Sequence, residues 1–203
     1  SILHDGDVIG VDCGRTMTRI APYLRELPHC DVVQLTGLAG GLTSNGADLT
    51  RRISEVTGGR SWPLYAPYVV ADARTAASLA STPQIKDCVA NQSRITCALV
   101  SVGGWNSEAS QVYTSVPEAE AAALYRAGVR AETCGLLLDA DGGRVVGLDE
   151  RRMGVTEEGL RAIPTVIAIC AGAKKIEATK AVLRSGMVSA IVTDTEIAAA
   201  VLN

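Results

Sequence analysis

A short apolar run that breaks at a glycine and hands over to a helical pattern occurs near both ends of the sequence. At the start, Val8-Ile9-Gly10-Val11-Asp12 reads as a buried strand, followed by Cys13-Gly14-Arg15-Thr16 and a helix. Toward the end, Thr165-Val166-Ile167-Ala168-Ile169-Cys170 runs into Ala171-Gly172-Ala173-Lys174-Lys175 and another helix. Such a junction gathers backbone N–H groups and the positive end of a helix at one spot, where an anion is favoured. Glycine lets the backbone come close, Thr16 supplies a hydroxyl, and Arg15 and Lys175 supply full positive charge. Two junctions of this kind, each with a cation, outline a phosphate or sugar-phosphate site.

Strands and helices alternate between these ends. Residues 8–12, 31–35, 95–102, 165–170 and 190–193 read as strands. Residues 16–27, 47–56, 73–80, 83–90, 117–127, 174–184 and 194–202 read as helices. The stretch 64–70 reads as a strand interrupted by Pro67, which places it at an edge or in a linker. Residues 134–147 read as a hairpin turning at Asp139-Ala140-Asp141-Gly142-Gly143. The order implies one α/β domain with an open, mostly parallel sheet and helices on both faces, Rossmann-like. Composition agrees: hydrophobic residues make up 47% of the chain, yet Phe is absent and aromatics reach only 3%. Val, Ile, Leu and Ala therefore fill the core, as in parallel strands covered on both sides. Ligands of such sheets bind at the carboxyl ends of the strands, where the glycine loops after Asp12, Leu35, Val102 and Cys170 converge.

Several classes are excluded. The net charge of −3 is spread over interspersed acids and bases, so this chain makes no basic stripe for nucleic acid. No apolar run approaches the ~20 residues of a membrane span, and the start carries no signal peptide, which points to a cytoplasmic protein. The six cysteines form no C-x-x-C pair and have no nearby histidine. They read as small buried hydrophobes, and no metal or cofactor site is expected.

Five runs stand in a specific order: GDVIGVDCGRT (6–16), LYAPYVV (64–70), ALVSVGGWN (98–106), CGLLLDADGGRV (134–145) and IPTVIAICAGAKKIEATKAVLRSGMVSAIVTD (163–194). Together they resemble the effector-binding domain of the SorC/DeoR-type bacterial sugar-sensing transcriptional regulators. The resemblance implies a fold like that of the sugar-phosphate isomerase and glucosamine-phosphate deaminase group. It also implies a sensor that binds a sugar or phosphorylated sugar, forms homodimers or homotetramers, and grips operator DNA through an N-terminal helix-turn-helix domain. That domain, and the first elements of the effector domain, are not in this sequence; residues 1–3 read as the tail of the element that precedes them.

Carried over by motif, the first phosphate loop is Gly14, Arg15 and Thr16, and the second is Thr36 and Gly37 with Asn45 nearby. Gly103 and Gly104 form the third, Lys175 follows the last glycine loop, and Asp139 and Arg151 fall in the remaining polar motifs. The alternative is an isomerase- or deaminase-like enzyme on a related fold. Proton transfer needs a base beside the reacting carbon. The acids near the loops are Asp12, Asp48, Glu108 and Asp139, and none stands in a general-base motif; both histidines lie elsewhere. The resemblance therefore implies a binding domain rather than an enzyme.

Overall fold

The computed structural model describes residues 2–39 and 46–202. Six parallel strands form the main sheet: β1 (Val8–Val11), β2 (Asp31–Gln34), β3 (Ser61–Trp62), β4 (Cys97–Ser101), β8 (Thr165–Ile169) and β9 (Ala190–Val192), in the order β3-β2-β1-β4-β8-β9. The chain builds outward from β1 in one direction and then returns to build outward from it in the other, so the order reverses between β1 and β4. A second sheet is antiparallel and has three strands: β5 (Gly103–Gly104), β6 (Ala131–Thr133) and β7 (Leu136–Leu138).

Side chains of the parallel strands alternate between two apolar layers, as the pleat requires. Ile9, Val11, Val32, Cys97, Ile167 and Ile169 face the helices α1 (Arg15–Ile20) and α2 (Gly46–Thr57). Val8, Val33, Ala98, Val100, Val166 and Ala168 face the opposite layer. There the helices are α3 (Ala73–Ala80), α4 (Pro83–Gln92), α6 (Glu157–Ala162), α7 (Ile176–Arg184) and α8 (Thr195–Leu202). The helix α5 (Glu118–Arg126) closes a third cluster around Trp105, Leu124, Leu137 and Leu148, beneath the small sheet. All six cysteines are buried free thiols. None of the helices described is long and apolar enough to cross a membrane.

Three elements differ from the sequence reading. The helix expected over 16–27 ends at Ile20, passing through a 3-10 turn at Ala21–Tyr23 into extended backbone at Leu24. Pro22 has no N–H to continue the ladder, so the regular helix stops there. The stretch 64–70 is not a strand but an extended segment tied by the isolated bridges Leu38↔Pro67 and Val69↔Arg152; the sheet edge is β3. The tight hairpin also lies elsewhere. β6 and β7 pair Thr133 with Leu136 across Cys134-Gly135, both at positive φ (50° and 71°), the turn that suits the strand twist. The expected Asp139–Gly143 turn closes a second, wider hairpin: Leu138 bridges to Arg144, the Asp139 amide donates to the Gly143 carbonyl at 2.9 Å and the Val145 amide to the Leu137 carbonyl at 3.0 Å.

Candidate functional site

β1 ends in Asp12, and its carboxylate ties the switch point together. Oδ1 accepts from Thr36 Oγ1 at 2.8 Å and Oδ2 accepts from the Ser101 amide at 3.0 Å, joining the ends of β1, β2 and β4. The side chain is enclosed, and desolvation pushes the carboxyl pKa up against these donors. Above it opens a cleft with ≈ 330 Å³ of empty space, open solvent at its mouth included.

Three loops meet at this cleft. Gly14 heads α1 with its Cα pressed on Ser101; a Cβ there falls 1.5 Å from Ser101 Oγ, so only glycine fits without displacing that side chain. Arg15 stands exposed at the rim and donates to the Glu108 carbonyl. Gly103 of β5 packs equally tightly on Glu132, a Cβ falling 1.9 Å from Oε1. Lys175 ends the 3-10 turn Ala173–Lys175 before α7, and its half-buried ammonium donates to the Val102 carbonyl at 2.7 Å. No carboxylate reaches ion-pair distance of Lys175 among the described residues, and burial lowers its pKa. Lys174 beside it points out and pairs with Glu108 at 2.5 Å, both ends largely exposed.

The structure also brings in residues that the sequence reading did not select. Glu132, on the middle strand of the small sheet, is buried; its Oε1 accepts from Ser110 Oγ at 3.0 Å and Oε2 from the Gly135 amide at 3.1 Å. Desolvation, and then the Asp12 charge, push its pKa up to about 7, while hydrogen bonds and Lys175 oppose the shift. Tyr68 is buried in the wall, and its phenol is kept neutral by burial and by the carboxylates of Asp12 and Glu132. The buried Ser101 Oγ helps to stabilise the charged form of Asp12, although it reaches no partner in good hydrogen-bond geometry. Only LYAPYVV, singled out as a motif, gave a signal for Tyr68; Glu132 lies in an ordinary-looking AET run with no local pattern.

Among the described residues, the others carried over by motif lie apart from the cleft lining. Thr16 is the second residue of α1 and only half-buried. Thr36 is fully buried, its hydroxyl spent on Asp12, and Gly37 donates to the Met153 carbonyl at 2.8 Å. Gly104 pairs with Ala131 in the small sheet. Asp139 accepts from the amides of Asp141 and Gly143 at 2.9 and 2.8 Å, which is turn chemistry. Arg151 pairs with Glu120, whereas its neighbour Arg152 is the buried one, donating to the Cys134 carbonyl at 3.2 Å. Asn45 lies outside the described residues. Cys13 sits at the first junction, yet burial pushes its thiol up and away from reactivity. Trp105 is core, its Nε1 donating to the Ala121 carbonyl at 3.0 Å.

Comparison with known proteins agrees with this architecture. A family model of the sugar-binding domain, Sugar-bind, matches residues 1–203. The transcriptional regulator YjhU of Escherichia coli is 29% identical over 200 residues, covering 95% of this chain and 60% of that protein. Transcriptional regulator LsrR of Enterobacter sp. is 26% identical over 207 residues, covering 99% and 63%. The chain thus spans about three-fifths of the length of these relatives. Among solved structures, the full-length sorbitol operon regulator SorC from Klebsiella pneumoniae superposes with a TM-score of 0.90 at 20% identity, covering 99% of this chain and 68% of SorC. These relatives are regulators, not isomerases or deaminases. With the ordered motifs, the α/β sheet and the family match in agreement, the chain belongs to the sugar-binding domain family of the SorC/DeoR-type transcriptional regulators.

Proposed function

We propose that this chain is the effector-sensing domain of a sugar-responsive transcriptional regulator, taking a sugar or phosphorylated sugar into the cleft at the sheet's switch point. The observation that carries the reading is the meeting of Gly14, Arg15, Gly103 and Lys175, from three separate loops, at one opening. An anionic group sits at the Gly14–Arg15–Lys175 end, where the α1 N-terminus and two cations face it. Sugar hydroxyls meet Asp12, Glu132 and Tyr68 at the other end. Thr36, Gly37 and Gly104 support that site from beneath. Asn45 belongs to the same site by motif, and Asp139 and Arg151 join only if the loops around them rearrange on binding.

Effector binding draws the Lys175 turn and the Gly14 junction together. The shift in population alters how protomers associate, and with that the spacing of helix-turn-helix domains on operator DNA. In this reading the DNA-binding domain belongs to the full-length protein, which is a cytoplasmic homodimer or homotetramer without a membrane partner.

The test is a thermal-shift panel of sugars and sugar phosphates, with each mixture checked by NMR for turnover. A ligand at ~100 times its dissociation constant adds about 2.7 kcal/mol, a rise of several degrees. A rise with one phosphorylated sugar that stays chemically unchanged is the expected result. Conversion of the sugar marks an enzyme, and no rise with any of them ends the sensor reading.

A further inference from the structure

Glu132 is held by donors that carry no charge, the Ser110 hydroxyl and the Gly135 amide. The charged and titratable groups that face it come from four other places. Asp12 at the end of β1 adds a like charge, and Lys175 before α7 adds the opposing one. The Tyr68 phenol and the Cys134 thiol stand beside it, both kept neutral by burial. Arg15 closes the rim of the same cleft. The buried positions of α7 and all of β7 are uncharged. With Asp12 and Glu132 ionised against Arg15 and Lys175, the empty cleft is formally neutral (two negative, two positive).

Resting on the anion site read above, we propose that the cleft binds an anionic group together with a proton, and that Glu132 is the residue that takes the proton up. Lys175 restrains protonation of Glu132. An anion seated on Lys175 cancels that restraint and places a further negative charge beside the buried Glu132 and Asp12. Two anionic groups there repel strongly at reduced dielectric, and a proton drawn from solvent onto one Glu132 oxygen relieves the repulsion. The resulting O–H donates toward the bound anion or a sugar oxygen, while the other oxygen keeps the Gly135 amide. Since Glu132 titrates at about 7 in the empty cleft, the uptake falls in the physiological range. The sensor then responds more strongly to an anionic effector as the cell interior acidifies.

Inorganic sulfate is the probe, because its charge does not change near neutral pH. The dissociation constant of sulfate is measured by calorimetry on this chain and on Glu132→Gln, at constant ionic strength. The expected result is an about tenfold weakening from about pH 6.5 to about pH 8.5 in the parent, and none in Glu132→Gln. Buffers of different ionisation enthalpy read the proton uptake directly, and the variant shows none. A parent whose sulfate affinity ignores pH overturns the proposal. So does an equal slope in Glu132→Gln, which assigns the titration to Lys175 instead. Absence of sulfate binding at every pH removes the anion site itself, and the proposal with it. If Glu132→Gln does not fold, carbon-13 NMR of the Glu132 carboxyl in the parent decides: its midpoint must rise when sulfate is added, and an unmoved midpoint refutes the linkage.

Discussion

The junctions after β1 and after β2 look alike in sequence, each an apolar strand that runs into a polar residue and a glycine, yet they end in opposite roles. After β1, Gly14 is held against Ser101 alone, and the N-terminus of α1 stays open to the cleft. After β2, two segments close over the loop. Gly37 faces the carbonyls of Pro67 and Ala66, Gly154 bridges to Thr36, and the Val155 amide donates to the Leu35 carbonyl at 2.7 Å. A glycine after a strand marks a place where backbone comes close. Whether that closeness serves a ligand or the protein's own chain depends on what packs above it.

The largest effect is expected of Gly37→Ala. Its Cβ falls 2.4 Å from the Pro67 carbonyl oxygen and 2.8 Å from that of Ala66, both backbone atoms that cannot swing away. Chemical denaturation should show a loss of about 3 kcal/mol. Unchanged stability would show that the backbone at Ala66 and Pro67 does not close tightly on Gly37.

Next comes the pH dependence of the cleft side. Glu132 has a folded-state pKa of about 7 against an ordinary value of 4.5, so the folded protein holds a proton that the unfolded chain has released. Stability therefore falls as pH rises from about 4.5 through about 7 and is level above that. Relative to Glu132→Gln, the parent should lose about 3 kcal/mol across this window. Parallel curves for the two proteins contradict the assignment.

Thr36→Val removes the hydroxyl donor from Asp12 Oδ1 and should cost about 2 kcal/mol, with sulfate affinity at low pH little changed. A selective loss of anion binding without loss of stability would return Thr36 to the ligand site. Lys175→Ala does the reverse, leaving the fold intact and weakening sulfate at least about tenfold, near 1.4 kcal/mol. The smallest effect belongs to Lys174→Ala. Its ion pair with Glu108 has side chains 80% and 70% exposed, and exposed pairs contribute less than about 1 kcal/mol; melting and sulfate binding should both stay close to the parent's.

Much of the frame was legible in the chain itself. The runs at β1, β4 and β8 are apolar and β-branched, so they read as buried parallel strands, and Gly14 and Lys175 stood out because their junctions repeat one pattern. The apolar spacing of Ile20, Leu24 and Leu27 suits a helix over 16–27, but Pro22 ends the regular helix at Ile20. The turn at Asp139–Gly143 carries an Asp-Gly signal and closes a hairpin, whereas the tighter turn at Cys134-Gly135, between Thr133 and Leu136, carries no such signal. Of the two adjacent arginines, helical or strand spacing could not tell which turns inward; packing against Tyr68 and Gly135 buries Arg152.

Local physics determined the alternation of elements, the apolar faces and the glycine junctions, since each depends on residues within a few positions of one another. Only the tertiary structure decided which junction stays open and which acids share the cleft. Strands β2 to β5 and helices α1 to α5 lie between Asp12 and Glu132 along the chain, and their coupling arises from joint burial beside Lys175. Desolvation depends on what surrounds a carboxyl in space, and no spacing in a sequence encodes it.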